Sequence, residues 1–152
     1  MAEKLIHFPE DVHRVLTLME AHKAPKTIQG FDLICREADQ LRLGLLNNVN
    51  RSSEDWKTRF LLIGHAALSI VIEWNAFAFA ELLLKKHTLY GIKPLLLWRE
   101  LGVCVRLTNK IERMKNMMAD PSADTQGESW NDTLSDIVGY CVLGWWLKEK
   151  GY

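Results

Sequence analysis

The chain has 152 residues, with 19 Lys plus Arg balanced by 19 Asp plus Glu, so it is long enough to bury one real core and carries no global field toward nucleic acid or an anionic membrane. The three cysteines, Cys35, Cys104 and Cys141, have no Cys-x-x-Cys or Cys/His ligand spacing, which reads as reduced thiols in a cytoplasmic compartment. The first residues, "MAEKLIHFPEDVHRV", hold no apolar h-region, so a secretory signal is not expected. A single all-α domain over residues 1–152 is the expectation.

The periodicity is helical throughout. Pro9, Glu10 and Asp11 suit a first helical turn, with Val12, Val15, Leu16 and Met19 forming one face to about residue 22. A second helix is expected over about 31–46, where Leu33, Ile34, Leu41, Leu45 and Leu46 recur near helical spacing. Ser52 followed by Asp55 reads as a capping box that starts a long central helix to about residue 86. Its apolar stretch, residues 60–84, has the length of a bilayer span of roughly 20 residues. The stretch also contains His65, Glu73, Asn75 and Glu81, and charge at the centre of a lone span is costly, so a buried helix of a bundle is expected instead.

Gly91 supplies a turn and Pro94 a helix start, giving a fourth helix over about 95–118. The loop "ADPSADTQG" leads to Ser129 and Asp132, a second capping box, and a fifth helix to about residue 148. Five helices, one of them long and central, predict a five-helix bundle, and the apolar all-round helices with Trp145 and Trp146 point to a dimer.

Chemistry concentrates on two helices. Glu128, Asp132 and Asp136 stand four residues apart, so Asp132 and Asp136 differ by only about 40° around the axis and form a stripe that runs into apolar surroundings. Asp132 is explained as the far half of a cap, whereas Asp136 lies beyond the first turn and needs a cation. Glu73, in "LSIVIEWNAF", raises the same demand.

Arg106, Lys110 and Arg113 fall at i, i+4 and i+7 of the fourth helix. They serve either as interhelical salt-bridge partners for the carboxylates or, if a metal is bound, as groups that neutralise phosphate oxygens. In the metal reading Glu73, Glu128, Asp132 and Asp136 are ligands of Mg²⁺ or Mn²⁺, or a base that activates water. Gly-rich phosphate loops, Gly-x-Ser-x-Gly and His-Glu-x-x-His are absent from the sequence, and His65 reads as a satisfied core histidine.

Three segments carry a resemblance: "KHTLYG", "VRLTNKIERMKNM" and "ESWNDTLSDIVGYCVL". Together they resemble the nucleotide-modification-associated, all-helical domain family of phages and bacteria. Its members show Lys-Asn-x-Asp-Tyr-Gly, a Lys-x-x-Arg helix and Glu-Ser-x-x-Asp-Thr-x-x-Asp-x-x-x-Tyr. Glu128, Ser129, Asp132, Thr133, Asp136 and Tyr140 match the last element, and Lys110 and Arg113 the middle one. In the first, Lys86, Tyr90 and Gly91 match, while His87 and Leu89 stand where the family has Asn and Asp.

More loosely, the final helix is similar to that of the MazG-like, all-α nucleoside triphosphate pyrophosphohydrolases, although the chain has no clean Glu-x-x-Glu. These resemblances imply a Mg²⁺-dependent hydrolase or binding protein for nucleoside triphosphates of the (deoxy)nucleotide pool, in a bacterial or phage-infected cytoplasm. Lys110, Arg113 and Arg106 would be its catalytic cations, and Lys86, Tyr90 and Tyr140 its substrate contacts. A homodimer without membrane or direct nucleic-acid binding is the accompanying expectation. The competing expectation is a non-catalytic helical interaction module with structural salt bridges.

Overall fold

The computed structural model describes residues 8–22, 29–71, 73–91, 93–120 and 129–152. Among the described residues all regular structure is helical: α1 Phe8–Ala21, α2 Gly30–Leu46, α3 Ser53–Leu68, α4 Ala76–Tyr90, α5 Lys93–Ala119 and α6 Trp130–Glu149. The all-α class therefore holds, with six helices where five were expected.

The extra helix arises because the long central one is broken. Past Leu68 the β-branched run of Ile70, Val71 and Ile72 is a poor helix former, and α3 ends with Ser69 hydroxyl donating to the Ala66 carbonyl at 2.6 Å. Glu73 then takes a left-handed φ of 56°. Asn75 starts α4 anew, its side-chain oxygen accepting from the Ala78 amide at 3.0 Å, the usual bond of a helix N-cap. Among the described residues no helix is long and apolar enough to cross a membrane.

The most extensive helix contact is between α3 and α6. Around that pair α1 packs on α3 and α6, α2 on α3 and α5, and α5 on α6. Val12, Val15, Leu16 and Met19 all point inward from α1, as do Leu33, Ile34 and Leu41 from α2. Leu46, expected on that face, is instead exposed. Trp145 and Trp146 are buried inside the chain, so they offer no surface to a second copy.

The two capping boxes expected from sequence form to different extents. Ser129 and Asp132 exchange both bonds at the start of α6. Ser52 accepts from the Asp55 amide, but the Asp55 carboxylate turns to Arg51 at 2.9 Å and Arg59 at 3.2 Å. Helix α5 contains a break at Arg99, whose φ of 52° and ψ of −139° are not helical.

Candidate functional site

Helix α6 carries Asp136 at the edge of its buried face, beside Leu134, Ile137 and Val138 in the core. One turn further on, Gly139 has no side chain, and Phe79 and Leu83 of α4 lie 3.8 Å from where a Cβ would stand. This is ordinary van der Waals contact, and α4 packs more extensively on α1. At the entrance to α4 the Trp74 ring lies 4.9 Å from Phe79, and its Nε1 donates to Glu20 at 3.3 Å, which ties this end of α4 to α1. Lys86 follows Leu83 by one turn and so comes over Asp136, which precedes Gly139 by one turn.

Helix α5 delivers the second cation. Leu107, Ile111 and Met114 face the core, and Lys110 flanks that row. The Lys110 Nζ lies 2.9 Å from Asp136 Oδ2, and the Lys86 Nζ lies 3.5 Å from Asp136 Oδ1. Two ammonium groups from two different helices thus meet the two oxygens of one carboxylate that is 25% exposed. Here three helices meet at a single charged junction.

Asp132 stands one turn before Asp136, exposed, with Oδ2 accepting from the Ser129 amide at 3.0 Å. That backbone bond, with the Ser129 hydroxyl and the nearby Lys86 charge, holds its carboxyl below the ordinary range. Along α5, Arg106 is exposed and makes no ion pair with a described residue, while Arg113 is partly buried. Tyr140, one turn beyond Asp136, is partly buried and packs against the core.

Of the residues proposed from sequence, Lys86, Lys110, Asp132 and Asp136 come together here. Glu73 does not behave as expected: it is exposed, outside any helix, and needs no buried cation. Glu81 is exposed on α4. Glu128 and the Tyr90 side chain lie outside the described residues.

For Mg²⁺, Asp132 and Asp136 are, among the described residues, the only proposed carboxylates at the junction, the first engaged in its cap and the second in its two lysines. Among the described residues no group of three or more His, Cys, Asp and Glu is arranged to hold a metal ion. The described donors therefore do not fit the oxygen-rich set that Mg²⁺ asks for.

A second polar network, at the other end of α6, escaped the sequence reading. Glu149 accepts from Lys57 at 2.7 Å and Arg14 at 3.1 Å, and both cations also stand over the Trp145 ring, at 5.5 and 5.0 Å. Buried Asp11 accepts from Trp146 Nε1 at 3.1 Å and pairs with Lys150 at 2.9 Å. Lys148, only 8% exposed, reaches Glu100 at 2.8 Å. Glu37, also buried, holds Arg59 at 2.7 Å. A carboxylate inside an apolar helical row, as Glu37 is, was a usable signal; Asp11 and Glu149 lie near helix ends, where acids and bases are ordinary. Each of these groups is satisfied internally, which fits structure rather than chemistry. His65 behaves as expected, with Nδ1 2.7 Å from the Met19 carbonyl oxygen.

No family model, no curated protein and no solved structure matches the chain.

Proposed function

We propose that the chain binds a nucleoside triphosphate at the junction of α4, α5 and α6. The observation that carries this reading is the convergence of Lys86 and Lys110 on Asp136, with Arg106 and Arg113 on the same stripe of α5 as Lys110. Lysine ammonium groups bind phosphate as point charges, and a polyphosphate that competes with Asp136 for them gains two preplaced cations. The nucleotide part of the ligand follows from the resemblance of the α5 and α6 segments, not from the geometry. Hydrolysis between the α- and β-phosphates in a (deoxy)nucleotide pool, with Mg²⁺, is the chemistry that resemblance implies. Self-association accompanies the reading as a separate proposal.

A second reading, a non-catalytic interaction module, is favoured by the same carboxylate: Asp136 has a lysine on each oxygen, which fixes the register of three helices without any ligand. Thermal melts with a panel of deoxynucleoside triphosphates, each with and without Mg²⁺ or Mn²⁺, separate the two. A ligand that binds only the folded chain adds about 2.7 kcal/mol at 100 times its Kd, and Lys110→Met and Lys86→Met should abolish the shift. Unchanged melts with every nucleotide, together with no pyrophosphate released, would leave the interaction module.

A further inference from the structure

We propose that residues 93–98 form a strained arm, folded back at Arg99 and able to swing out by straightening into a continuous α5, a motion that also draws Lys86 away from Asp136. Arg99 adopts φ 52° and ψ −139°, a region that a residue with a Cβ occupies only where its surroundings hold it, and such residues gather at switch regions. Beyond the bend α5 is anchored: Val103, Cys104, Leu107, Ile111 and Met114 are buried, and Glu100 accepts from Lys148 at 2.8 Å. Before it the hold is slight. Leu95 and Leu96 are only partly buried against the core, and Leu97 and Trp98 are 68% and 65% exposed. The strain thus falls at the boundary between a fixed segment and a lightly held one.

The bend has a reason in the length of α6. The two helices run antiparallel, Lys110 meeting Asp136 and Glu100 meeting Lys148, and α6 ends at Glu149. Kept straight, residues 93–99 would carry α5 about 10 Å past that end at 1.5 Å per residue, and Leu95 and Leu96 would leave the core. Packing of these two leucines opposes the strain at Arg99, and their balance sets the population of the straight form.

Gly102 completes the device. In the bent form the Trp98 Cβ lies 2.7 Å from where a Cβ at position 102 would stand, whereas in a straight helix residues four apart keep their Cβ atoms about 5–6 Å apart. The bend therefore requires glycine at 102 and would be relaxed by glycine at 99; the straight form accepts a side chain at both. The chain supplies Gly102 with Arg99, which permits the bend and leaves it strained.

The motion reaches the charged junction through the chain itself. Helix α4 ends at Tyr90 and α5 begins at Lys93, so a swing of residues 93–98 pulls on the end of α4, where Lys86 stands 3.5 Å from Asp136 Oδ1. Lys110 lies on the anchored part of α5 and keeps its 2.9 Å pair with Oδ2. Nothing in this depends on a nucleotide, so the arm and the binding site proposed above can fail separately.

Backbone NMR of the full chain tests the arm, because Cα and Cβ shifts distinguish left-handed from helical residues and relaxation dispersion detects microsecond-to-millisecond exchange. The wild type should show residue 99 left-handed, with exchange at the amides of residues 95–102. Arg99→Gly should abolish that exchange. Gly102→Ala should move the shifts of residue 99 to helical values and displace the Asp136 carboxyl carbon shift in the same direction as Lys86→Met does, without disturbing residues 103–114. A wild type without exchange at 95–102, or exchange that Arg99→Gly leaves intact, would overturn the proposal, and these two results stand even where Gly102→Ala does not fold. So would a folded Gly102→Ala chain in which residue 99 stays left-handed, or in which it turns helical while the Asp136 carboxyl shift remains that of the wild type.

Discussion

Lys110 of α5 and Asp136 of α6 meet at 2.9 Å across a junction that Lys86 of α4 also reaches. A carboxylate placed where helix α6 becomes apolar is stabilised by cations from its neighbours. Exposed pairs contribute about 0.2–1 kcal/mol, and removing one partner of a fully buried pair costs about 3–5 kcal/mol. Asp136 is a quarter exposed, so Asp136→Asn should cost about 1–2 kcal/mol between those limits. A double-mutant cycle with Lys110→Met, read by urea denaturation, should return a favourable coupling energy. Additive losses would mean that the two side chains do not interact in solution.

The acid and alkaline limits of stability follow from groups at both ends of α6. The Asp132 carboxyl is held below its ordinary value of 3.8, first by the Ser129 amide. Glu149 is held below 4.5, first by Lys57, and Lys57 is raised above 10.5 by the same bond. A depressed carboxyl contributes stability that is complete above its unfolded value and lost as pH falls through the folded one; the raised lysine contributes below its unfolded value and loses it as pH rises. Urea midpoints should therefore be level at neutral pH and fall below about pH 4.5. Asp132→Asn should remove part of the acid limb. Ser129→Ala should cost about 1 kcal/mol as a lost N-cap yet keep much of that limb, because the backbone amide still binds Asp132. A limb identical in Asp132→Asn and wild type would refute this account.

The class of fold, the ends of α1 and α2 and the cap of α6 were legible because each rests on local signals: a 3.6-residue apolar period, Asn and Gly positions, and a Ser-x-x-Asp pair. Asp136 was legible for a related reason, since a carboxylate entering an apolar row needs a cation; Lys110 followed from its stripe with Arg106 and Arg113, and Lys86 from the resemblance alone. The break between α3 and α4 was hidden by hydrophobicity. Residues 69–75 continue the apolar run, and its true signals, three successive β-branched residues and the cap residue Asn75, are weak beside it. Glu73 was misplaced as a consequence. The turn at Arg99 had no local signal at all, since positive φ is ordinarily the province of glycine and asparagine.

Thiol reactivity gives an independent check on the packing. Burial, with the Glu100 charge next, pushes the Cys104 thiol up to about 12, and full burial raises Cys141 well above its ordinary range. Cys35 is raised chiefly by partial burial but retains some exposure. Since the thiolate is the reacting form, a disulfide reagent at neutral pH should modify Cys35 slowly and spare the other two until the chain unfolds. Rapid modification of Cys104 or Cys141 in the folded chain would show that α5 and α6 open more readily than their packing allows.

A close approach in the core tests the α3–α6 pairing directly. A Cβ at Gly144 would meet Phe60 ring carbons at 2.7 Å, and that ring is fully buried and stacked on Trp56 with centroids 5.7 Å apart. Gly144→Ala gains up to about 1 kcal/mol of helix propensity, while overpacking costs about 1–3 kcal/mol; a stacked ring has little room to yield, so the variant should be destabilised. Gly64→Ala meets the Met19 thioether at 2.5 Å, a closer contact but against a side chain with three rotatable bonds, and should lose less. Phe60→Leu should be less damaging in the Gly144→Ala background than in the wild type, because the methyl occupies space the ring vacates. Urea denaturation of the four variants reads this ordering, and a Gly144→Ala chain as stable as wild type would place α3 and α6 farther apart than they stand here.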